Sequence, residues 1–342
     1  MLDTSSIASF AEMRRIAGEF PGPDLAAAAK TAAREAVLTK PAGALARLEE
    51  VTLWLATWQA KHPPSVDHPR VAVFAGNHGV AALGVSAFPA DVTKQMVLNF
   101  TSGGAAVNQL AKNADADLRV YEMALDNPTK DFTREAALSE TEAAGAMAYG
   151  MMCVEPSIDL LAVGEMGIAN TTSASAMAAA LFGGTGADWA GPGTGVHGAQ
   201  LGRKAEVIDL GLARHKAVLG DPLQVLQCLG GHELAAIAGA VMAARIARVP
   251  VLLDGFATTV AASILLKLDP TALDHCLVAH CSAEPGHRRL LERIGKKPLL
   301  DFGMRLGEAS GAALAIPLVR AAALCHSGMA SFAEAGVSGK DA

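Results

Sequence analysis

The sequence predicts an α/β protein with a Rossmann-like parallel sheet flanked by helices, and a smaller helical domain built from the N- and C-terminal segments. From residue 70 onward, short apolar runs recur, and each ends in Gly, Asp, Glu or His. Ala-rich stretches of helical character separate these runs, whereas the first sixty residues look helical and lack them. Such alternation is typical of a parallel sheet covered on both faces, where ligands bind beyond the carboxyl ends of the strands.

Five apolar runs are predicted strands, and two Ala-rich segments are predicted helices on the sheet. The predicted strands span residues 71–75, 118–123, 160–163, 251–253 and 277–279, and the predicted helices span residues 173–182 and 234–247. Together they place the α/β domain at residues 66–307.

The predicted small helical domain comprises residues 1–65 and about 308–336. Apolar residues recur there at helical spacing, at Leu45, Leu48, Val51, Leu55 and Trp58. Pro63 and Pro64 are expected to end this helix. A second Ala-rich helix is expected over about 308–324, where it rejoins the N-terminal helices.

The composition argues against two classes of partner. The 342-residue chain has a formal net charge of −6, so no electrostatic attraction to nucleic acid or to an anionic membrane is expected. The most apolar stretch, residues 234–253, is interrupted by Arg245, Arg248 and Pro250, so no membrane span is expected.

Two further features predict a cytoplasmic protein. Residues 1–20 contain Asp3, Glu12, Arg14 and Arg15 and no apolar core, so they are not expected to be a signal peptide. The five cysteines are odd in number and scattered, which is typical of reduced, buried thiols.

A polar loop at residues 164–173 follows one predicted strand and opens a predicted helix. Asn170, Thr171 or Ser173 can cap that helix, and the free N–H groups of its first turn form a natural anion site. The same pattern also fits an ordinary capped turn without a ligand.

A second loop, residues 191–198, is rich in glycine and is followed by Arg203 and Lys204. Glycines let a ligand approach the backbone, and a nearby cation suits a phosphate. The alternative is a flexible connector. The loop is not a dinucleotide fingerprint, because no strand leads into it and Pro192 interrupts it.

Glu308 lies among small and apolar neighbours at the expected start of the last long helix. It is either a first-turn charge stabilised by the helix dipole or a partly desolvated base. The dipole lowers its pKa and burial raises it. We expect Glu308 to be ionised at neutral pH.

A metal site is not expected. The histidines and cysteines between residues 275 and 287 follow neither the CxxC nor the HExxH spacing, and a nucleophilic serine elbow is also missing.

In their order along the chain, these motifs resemble those of the nicotinate-nucleotide:dimethylbenzimidazole phosphoribosyltransferase family. The resemblance covers about residues 35–330 and is carried by Lys40–Glu49, Gly76-Asn77-His78-Gly79, Gly84-Val85-Ser86, Val92–Met96, Gly164-Glu165-Met166-Gly167, Asn170-Thr171-Thr172, Gly193-Thr194-Gly195, Leu253–Phe256, His280, Ser282-Ala283-Glu284 and Arg305-Leu306-Gly307-Glu308. Ala169 and Ala309 stand where this family frequently has glycine.

Together with the apolar stripe from Leu45 to Trp58, the resemblance implies a homodimer with the helical end regions near its interface. It also assigns roles to particular residues. Glu308 is implied as the general base, and Glu165 is placed near the ribose. The nucleotide phosphate is placed on Gly167, Asn170, Thr171, Thr172, Gly193, Gly195 and Lys204. The benzimidazole pocket is placed at Ser86, Gln95 and Leu306.

The implied reaction moves ribose 5-phosphate from nicotinate mononucleotide to dimethylbenzimidazole, for the lower ligand of cobalamin. The nicotinate nitrogen leaves neutral, so one carboxylate beside an apolar slot is a sufficient catalytic set, without metal or cofactor. Two rivals stay open at this point: a non-catalytic nucleotide-binding or sensing module on the same fold, and an NAD-dependent oxidoreductase, which the missing fingerprint disfavours.

Overall fold

A computed structural model describes residues 9–339 and contains one six-stranded parallel sheet. The strands are β1 Pro69–Gly76, β2 Asp117–Met123, β3 Leu160–Met166, β4 Val251–Leu253, β5 Cys276–His280 and β6 Pro298–Leu300. Their spatial order is β2-β1-β3-β4-β5-β6, and every neighbouring pair is parallel. The predicted α/β class with a Rossmann-like parallel sheet is confirmed.

Helices cover both faces of the sheet. They are α1 Phe10–Ala17, α2 Leu25–Glu35, α3 Arg47–Gln59, α4 Val92–Thr101, α5 Ala106–Asn113, α6 Glu140–Met151, α7 Asn170–Phe182, α8 Gly186–Trp189, α9 Gly198–His215, α10 Pro222–Leu229, α11 His232–Ile246, α12 Phe256–Ser263, α13 Pro285–Ile294, α14 Ser310–Gly328 and α15 Phe332–Ala335. Short 3₁₀ turns lie at Gly79–Leu83 and Leu265–Lys267.

Alternate residues of each strand feed two hydrophobic layers. In β1, Phe74 packs into the layer with α6, α7 and α11, whereas Val71 and Val73 pack into the layer with α3, α5 and α14. Period-two alternation in a fully buried strand explains why β1 reads as a continuous apolar run.

All five predicted strands are present, although most extend by one to three residues, and β6 was missed. β6 has three half-buried residues at the edge of the sheet and begins with Pro298, which a strand tolerates at that position. A run this short carries no recognisable periodicity.

Two helix ends differ from the prediction because of left-handed backbone. α3 ends at Gln59, where Ala60 adopts φ +51°, before Pro63 is reached. α14 begins at Ser310 rather than Glu308, because Glu308 and Ala309 have φ values of +60° and +58°. Dihedrals of this kind interrupt a right-handed helix.

The chain ends meet through α14. This helix packs against α3 on one side and against α5 and the sheet on the other, and Leu38 and Ser331 form an isolated antiparallel bridge. The apolar stripe of α3 faces inward, with Val51, Leu55 and Trp58 buried. The division into two domains stays a prediction.

α14 is also long and apolar enough to cross a membrane by length and composition alone, which the expectation of no span did not foresee. Half of its apolar window is buried inside the protein, as in a core helix on a sheet. Residues 1–8 of the segment considered for a signal peptide lie outside the described residues.

Candidate active site

A cavity of about 390 Å³ lies beyond the carboxyl ends of the central strands. Glu165 and Gly167 follow or end β3, Gly255 follows β4, and His280 ends β5. The loop with Gly193 and Thr194, the 305–308 segment and α4 complete the wall. A larger hollow of about 590 Å³ lies near residues 61–67 and 320–327, but it does not gather the carboxylates described below.

Lys204 reaches one end of this cavity from α9. Its side chain is buried, and Nζ donates hydrogen bonds to Thr171 Oγ1 at 2.8 Å and to the Gly191 carbonyl at 2.9 Å. Burial lowers its pKa to about 8, against the attraction of Glu284. Arg203 instead pairs with Glu206 at the surface, so the helix turns Lys204 inward.

Gly193 lines the same end of the cavity, and it has no side chain there. A Cβ there would lie 2.6 Å from Thr171 Oγ1 and 3.1 Å from Lys204 Nζ, and the residue has φ +51°. Its N–H donates to Glu284 Oε1 at 2.8 Å. Glycine at this position therefore avoids a steric clash with Thr171 and Lys204.

The start of α7 is not capped by a side chain, so the predicted cap at Asn170, Thr171 or Ser173 is wrong. Ala169 is the N-cap residue, with φ +74° and no side-chain cap bond. The three polar side chains point elsewhere: Asn170 Nδ2 donates to Glu165, Thr171 receives the Lys204 bond, and Ser173 contacts His78. Tertiary partners have taken the groups that a local cap would use.

Three carboxyl groups with raised pKa values gather at the strand ends. Burial raises the pKa of Glu165 to about 8, with help from the nearby charge of Asp254. Burial raises the pKa of Asp254 to about 7, although backbone N–H groups of Ala312 and Gly311 oppose it. Burial also raises the pKa of Glu308 to about 7. A low-dielectric pocket disfavours the charged forms of all three.

Of the two interpretations of Glu308, the structure supports the desolvated carboxyl rather than the first-turn helix charge. It lines the cavity, its side chain is nearly buried, and it precedes α14 instead of lying in its first turn. The expectation that it is ionised at neutral pH is corrected, because a pKa of about 7 leaves it about half protonated there. Its N–H donates to the Glu165 carbonyl at 3.0 Å, which ties the two residues together.

His280 lies beside Asp254, one of these three carboxyl groups, with Nε2 and Oδ1 3.6 Å apart. Both side chains are buried. Among residues 9–339, neither ring nitrogen of His280 has a hydrogen-bond partner, and the second oxygen of Asp254 also lacks one. Burial lowers the pKa of His280. Of the two residues, only His280 lines the cavity, and Asp254 lies behind it.

The predicted benzimidazole residues are only partly brought together. Leu306 lines the cavity, and Ser86 lies one hydrogen bond away, 2.8 Å from the cavity residue Thr194. Gln95 is exposed on α4, whose inward face presents Val92 and Met96 instead. Gln95 directly precedes Met96 in the helix, so its side chain points away from the face that lines the cavity.

The structure places the predicted phosphate residues in two groups. Gly167, Asn170, Thr171 and Gly193 line the cavity, and Lys204 touches it through Thr171. Thr172 is fully buried, and Gly195 lies in the 191–198 loop without lining the cavity.

Several cavity residues were given no site role by the sequence analysis. They are Phe88, Val92, Met96, Thr194, Phe256, His280, Ser282, Glu284 and Arg305. All except Phe88 lie in the family motifs, and His280, Ser282 and Glu284 also end or follow a predicted strand, where ligands are expected to bind. The apolar residues carry no local signal, since a cavity side chain and a core side chain look alike in sequence.

Comparison with known proteins gives consistent matches. Residues 20–337 match the family described as phosphoribosyltransferase. The nicotinate-nucleotide–dimethylbenzimidazole phosphoribosyltransferase of Brucella canis is 55% identical over 96% of this chain and 97% of its own length. The protein of that name from Brucella anthropi is 54% identical over the same shares. A crystal structure of CobT from Thermus thermophilus superposes with a TM-score of 0.86 at 41% identity, over 92% of this chain and 99% of that one.

A buried Lys204–Thr171 pair, carboxyl groups with raised pKa values and an apolar wall meet at one cavity, an arrangement that suits a transferase acting on a phosphorylated sugar. The family match and the relatives agree with this class. The chain belongs to the nicotinate-nucleotide–dimethylbenzimidazole phosphoribosyltransferase family.

Proposed function

We propose that this chain transfers ribose 5-phosphate from nicotinate mononucleotide to 5,6-dimethylbenzimidazole, forming α-ribazole 5′-phosphate and nicotinate for the lower ligand of cobalamin. One observation carries the proposal beyond the relatives' names. A nearly buried carboxyl, Glu308, faces the same cavity as the phosphate pocket around Lys204. A binding or sensing module has no need of that carboxyl.

The donor's phosphate binds at the Lys204 end. The ammonium group supplies charge, while Thr171 and the Gly193 loop supply donors and space. The ribose then extends toward the strand ends, where Glu165 is held by Asn170. With a pKa of about 8, Glu165 is mainly protonated at neutral pH and can donate to a ribose hydroxyl.

Catalysis follows from charge balance. A benzimidazole nitrogen attacks C1′ and forms the new C–N bond, while the old C–N bond breaks and its electron pair neutralises the pyridinium nitrogen of nicotinate. No general acid is needed at that atom. The second ring nitrogen of the benzimidazole carries the only N–H, which becomes more acidic as the new bond forms. Ionised Glu308 takes this proton. Attack from the opposite face inverts the anomeric carbon from β to α.

The acceptor lies against the apolar wall. Phe88, Met96 and Leu306 line this part of the cavity, and Ser86 supports it through Thr194. A flat aromatic base gains from burial against such side chains. The role of Gln95 stays a prediction, since that side chain is exposed. Because the nitrogen of the leaving nicotinate becomes neutral when the C–N bond breaks, the reaction requires neither metal nor cofactor.

Release of nicotinate on mixing the protein with nicotinate mononucleotide and dimethylbenzimidazole tests this function. We expect stoichiometric nicotinate and α-ribazole 5′-phosphate, resolved by chromatography, and none without the acceptor. A nucleotide-binding module binds the donor without releasing nicotinate. An oxidoreductase instead changes the absorbance of a nicotinamide dinucleotide. Either result contradicts the proposal, and a series of benzimidazoles and purines defines acceptor preference.

We also propose a homodimer. The α3 stripe cannot form its interface, because Val51, Leu55 and Trp58 are buried within the chain. Large apolar side chains are nevertheless exposed on the same packed helices, at Leu53 of α3 and at Leu318 and Leu324 of α14. Sedimentation velocity at micromolar concentration is expected to show a dimer, and Leu324→Glu is expected to weaken it. A wild-type protein that is monomeric throughout contradicts the proposal.

Two further expectations stay proposals. The two-domain division is supported by the contacts of α14 with α3. A cytoplasmic location is supported by five free cysteines, four of them buried.

A further inference from the structure

A chain of hydrogen bonds lies behind the cavity and takes no part in the chemistry above. Ser173 Oγ lies 2.9 Å from His78 Nδ1, and His78 Nε2 lies 2.7 Å from Glu233 Oε1. The side chains of His78 and Glu233 are completely buried, and Ser173 is buried as well. Three elements meet here, because Ser173 belongs to α7, Glu233 to α11, and His78 follows β1.

Hydroxyl, imidazole and carboxylate in this order are the parts of a nucleophilic triad. None of the three residues lines the cavity, however, and all are closed to solvent. A substrate carbonyl cannot reach Ser173, so a nucleophilic role is excluded by access. His78 is excluded as the catalytic base for the same reason.

The network joins α7 where that helix is least secured by its own sequence. The N-cap residue Ala169 has φ +74° and no side-chain cap bond. A left-handed alanine costs on the order of 1 kcal/mol and persists only where surrounding contacts hold it. Two other contacts help: Ile168 N–H donates to Thr93 Oγ1, and Gly167 packs so closely on Gly76 that a Cβ would lie 2.6 Å from its carbonyl.

Ser173 lies within one turn of the residues that face the donor. Thr171 contacts Lys204, and Asn170 contacts Glu165. A shift of the first turn of α7 therefore moves the phosphate and ribose contacts together. Glu233 Oε1 can accept the Nε2–H of His78, and in that tautomer Nδ1 accepts the hydroxyl hydrogen of Ser173, so Glu233 orients the imidazole for its bond to the helix.

We propose that His78 is a positioning residue which, with Ser173 and Glu233, holds the first turn of α7 in the geometry that binds the donor's phosphate. The proposal rests on the proposed function for the identity of the donor. It assigns these residues no contact with substrate. Their effect passes through Thr171 and Lys204.

Ser173→Ala removes the hydroxyl with little change of volume. We expect the Kd and KM for nicotinate mononucleotide to rise about tenfold, with kcat changed less than twofold, since a buried hydrogen bond is lost and the turn loosens. The KM for the benzimidazole is expected to stay unchanged. Nicotinate riboside, which lacks the phosphate, should be used as poorly by the variant as by the wild type.

Ser175→Ala is the matched control. Ser175 is buried two residues further along α7, and its Oγ donates to the Trp189 carbonyl at 3.0 Å, away from His78. Ser175→Ala therefore removes an equivalent buried hydrogen bond, and it should leave the donor Kd within twofold of the wild-type value. His78→Asn is the second single variant. The double variant Ser173→Ala/His78→Asn should raise the donor Kd no further than the more damaging of the two single variants, because the residues act as one unit.

Two outcomes overturn the proposal. In the first, Ser173→Ala lowers the melting temperature but leaves the mononucleotide Kd within twofold, so the network is only structural. In the second, Ser173→Ala lowers the activity with nicotinate riboside and the activity with nicotinate mononucleotide by the same factor. Calorimetric binding of the mononucleotide needs no turnover. A wild-type protein that binds it but releases no nicotinate therefore fails the proposed function while leaving this test intact.

Discussion

Glu308→Gln is expected to lower kcat with dimethylbenzimidazole by roughly 10²–10⁴-fold, the usual contribution of a positioned base. Glutamine keeps the shape and hydrogen-bonding capacity of the nearly buried side chain but cannot take the ring proton. Binding of nicotinate mononucleotide is expected to change little, because the phosphate is held at the Lys204 end. The loss should shrink for acceptors with a more acidic N–H, which need less help. Steady-state kinetics with a benzimidazole series measures both effects.

The same residue predicts the pH dependence. A base acts in its ionised form, and burial raises the pKa of Glu308 to about 7. With saturating donor, wild-type kcat/KM for the benzimidazole is therefore expected to rise about tenfold per unit below pH 7 and to level off above it. Glu165 and Asp254 titrate nearby, so the observed midpoint belongs to the group. Glu308→Gln should flatten this limb.

Glu292→Gln is the control for a carboxyl-to-amide change, because Glu292 is exposed on α13. It should leave the kinetics unchanged. If Glu308→Gln turns over benzimidazole near the wild-type rate, Glu308 is structural and the base must be sought at Glu165, which lines the same cavity.

Lys204→Ala is expected to weaken nicotinate mononucleotide binding by about 1.5–3 kcal/mol, or roughly ten- to 150-fold in Kd, as for the loss of a charge-assisted hydrogen bond. The side chain is buried beside Thr171, so water cannot replace the charge easily. Burial lowers its pKa to about 8, so the free protein is mainly cationic at pH 7 and loses that charge as the pH rises through 8. Wild-type donor affinity should fall over that range, and the variant should lack this fall.

Arg203→Ala is the control from the neighbouring position. Arg203 pairs with Glu206 on the solvent side of α9, so its removal should leave the donor Kd within twofold. Nicotinate riboside should be a poor donor for the wild type. The activity with riboside should be nearly the same in Lys204→Ala as in the wild type. Calorimetry and kinetics with both donors decide the matter. Equal use of riboside and mononucleotide by the wild type would refute the phosphate pocket.

Much of the fold could be predicted because its signals are local. Apolar runs that end in Gly, Asp, Glu or His mark strands whose carboxyl ends meet at one edge, and β3, β4 and β5 deliver Glu165, Asp254 and His280 there. Order and spacing of the loop motifs also determined the family. None of this needs knowledge of which side chains touch.

Tertiary structure decided what depends on packing. Whether Lys204 or Arg203 faces the phosphate is a matter of about 100° of helical phase, set by what α9 packs against. Alanine at positions 169 and 309 hides the left-handed backbone that starts α7 and α14, because glycine is the usual sequence signal for it. Glu308 has its raised pKa because the folded cavity excludes water from its carboxyl. Desolvation belongs to the assembled pocket, so a linear sequence contains the carboxyl but not its proton affinity.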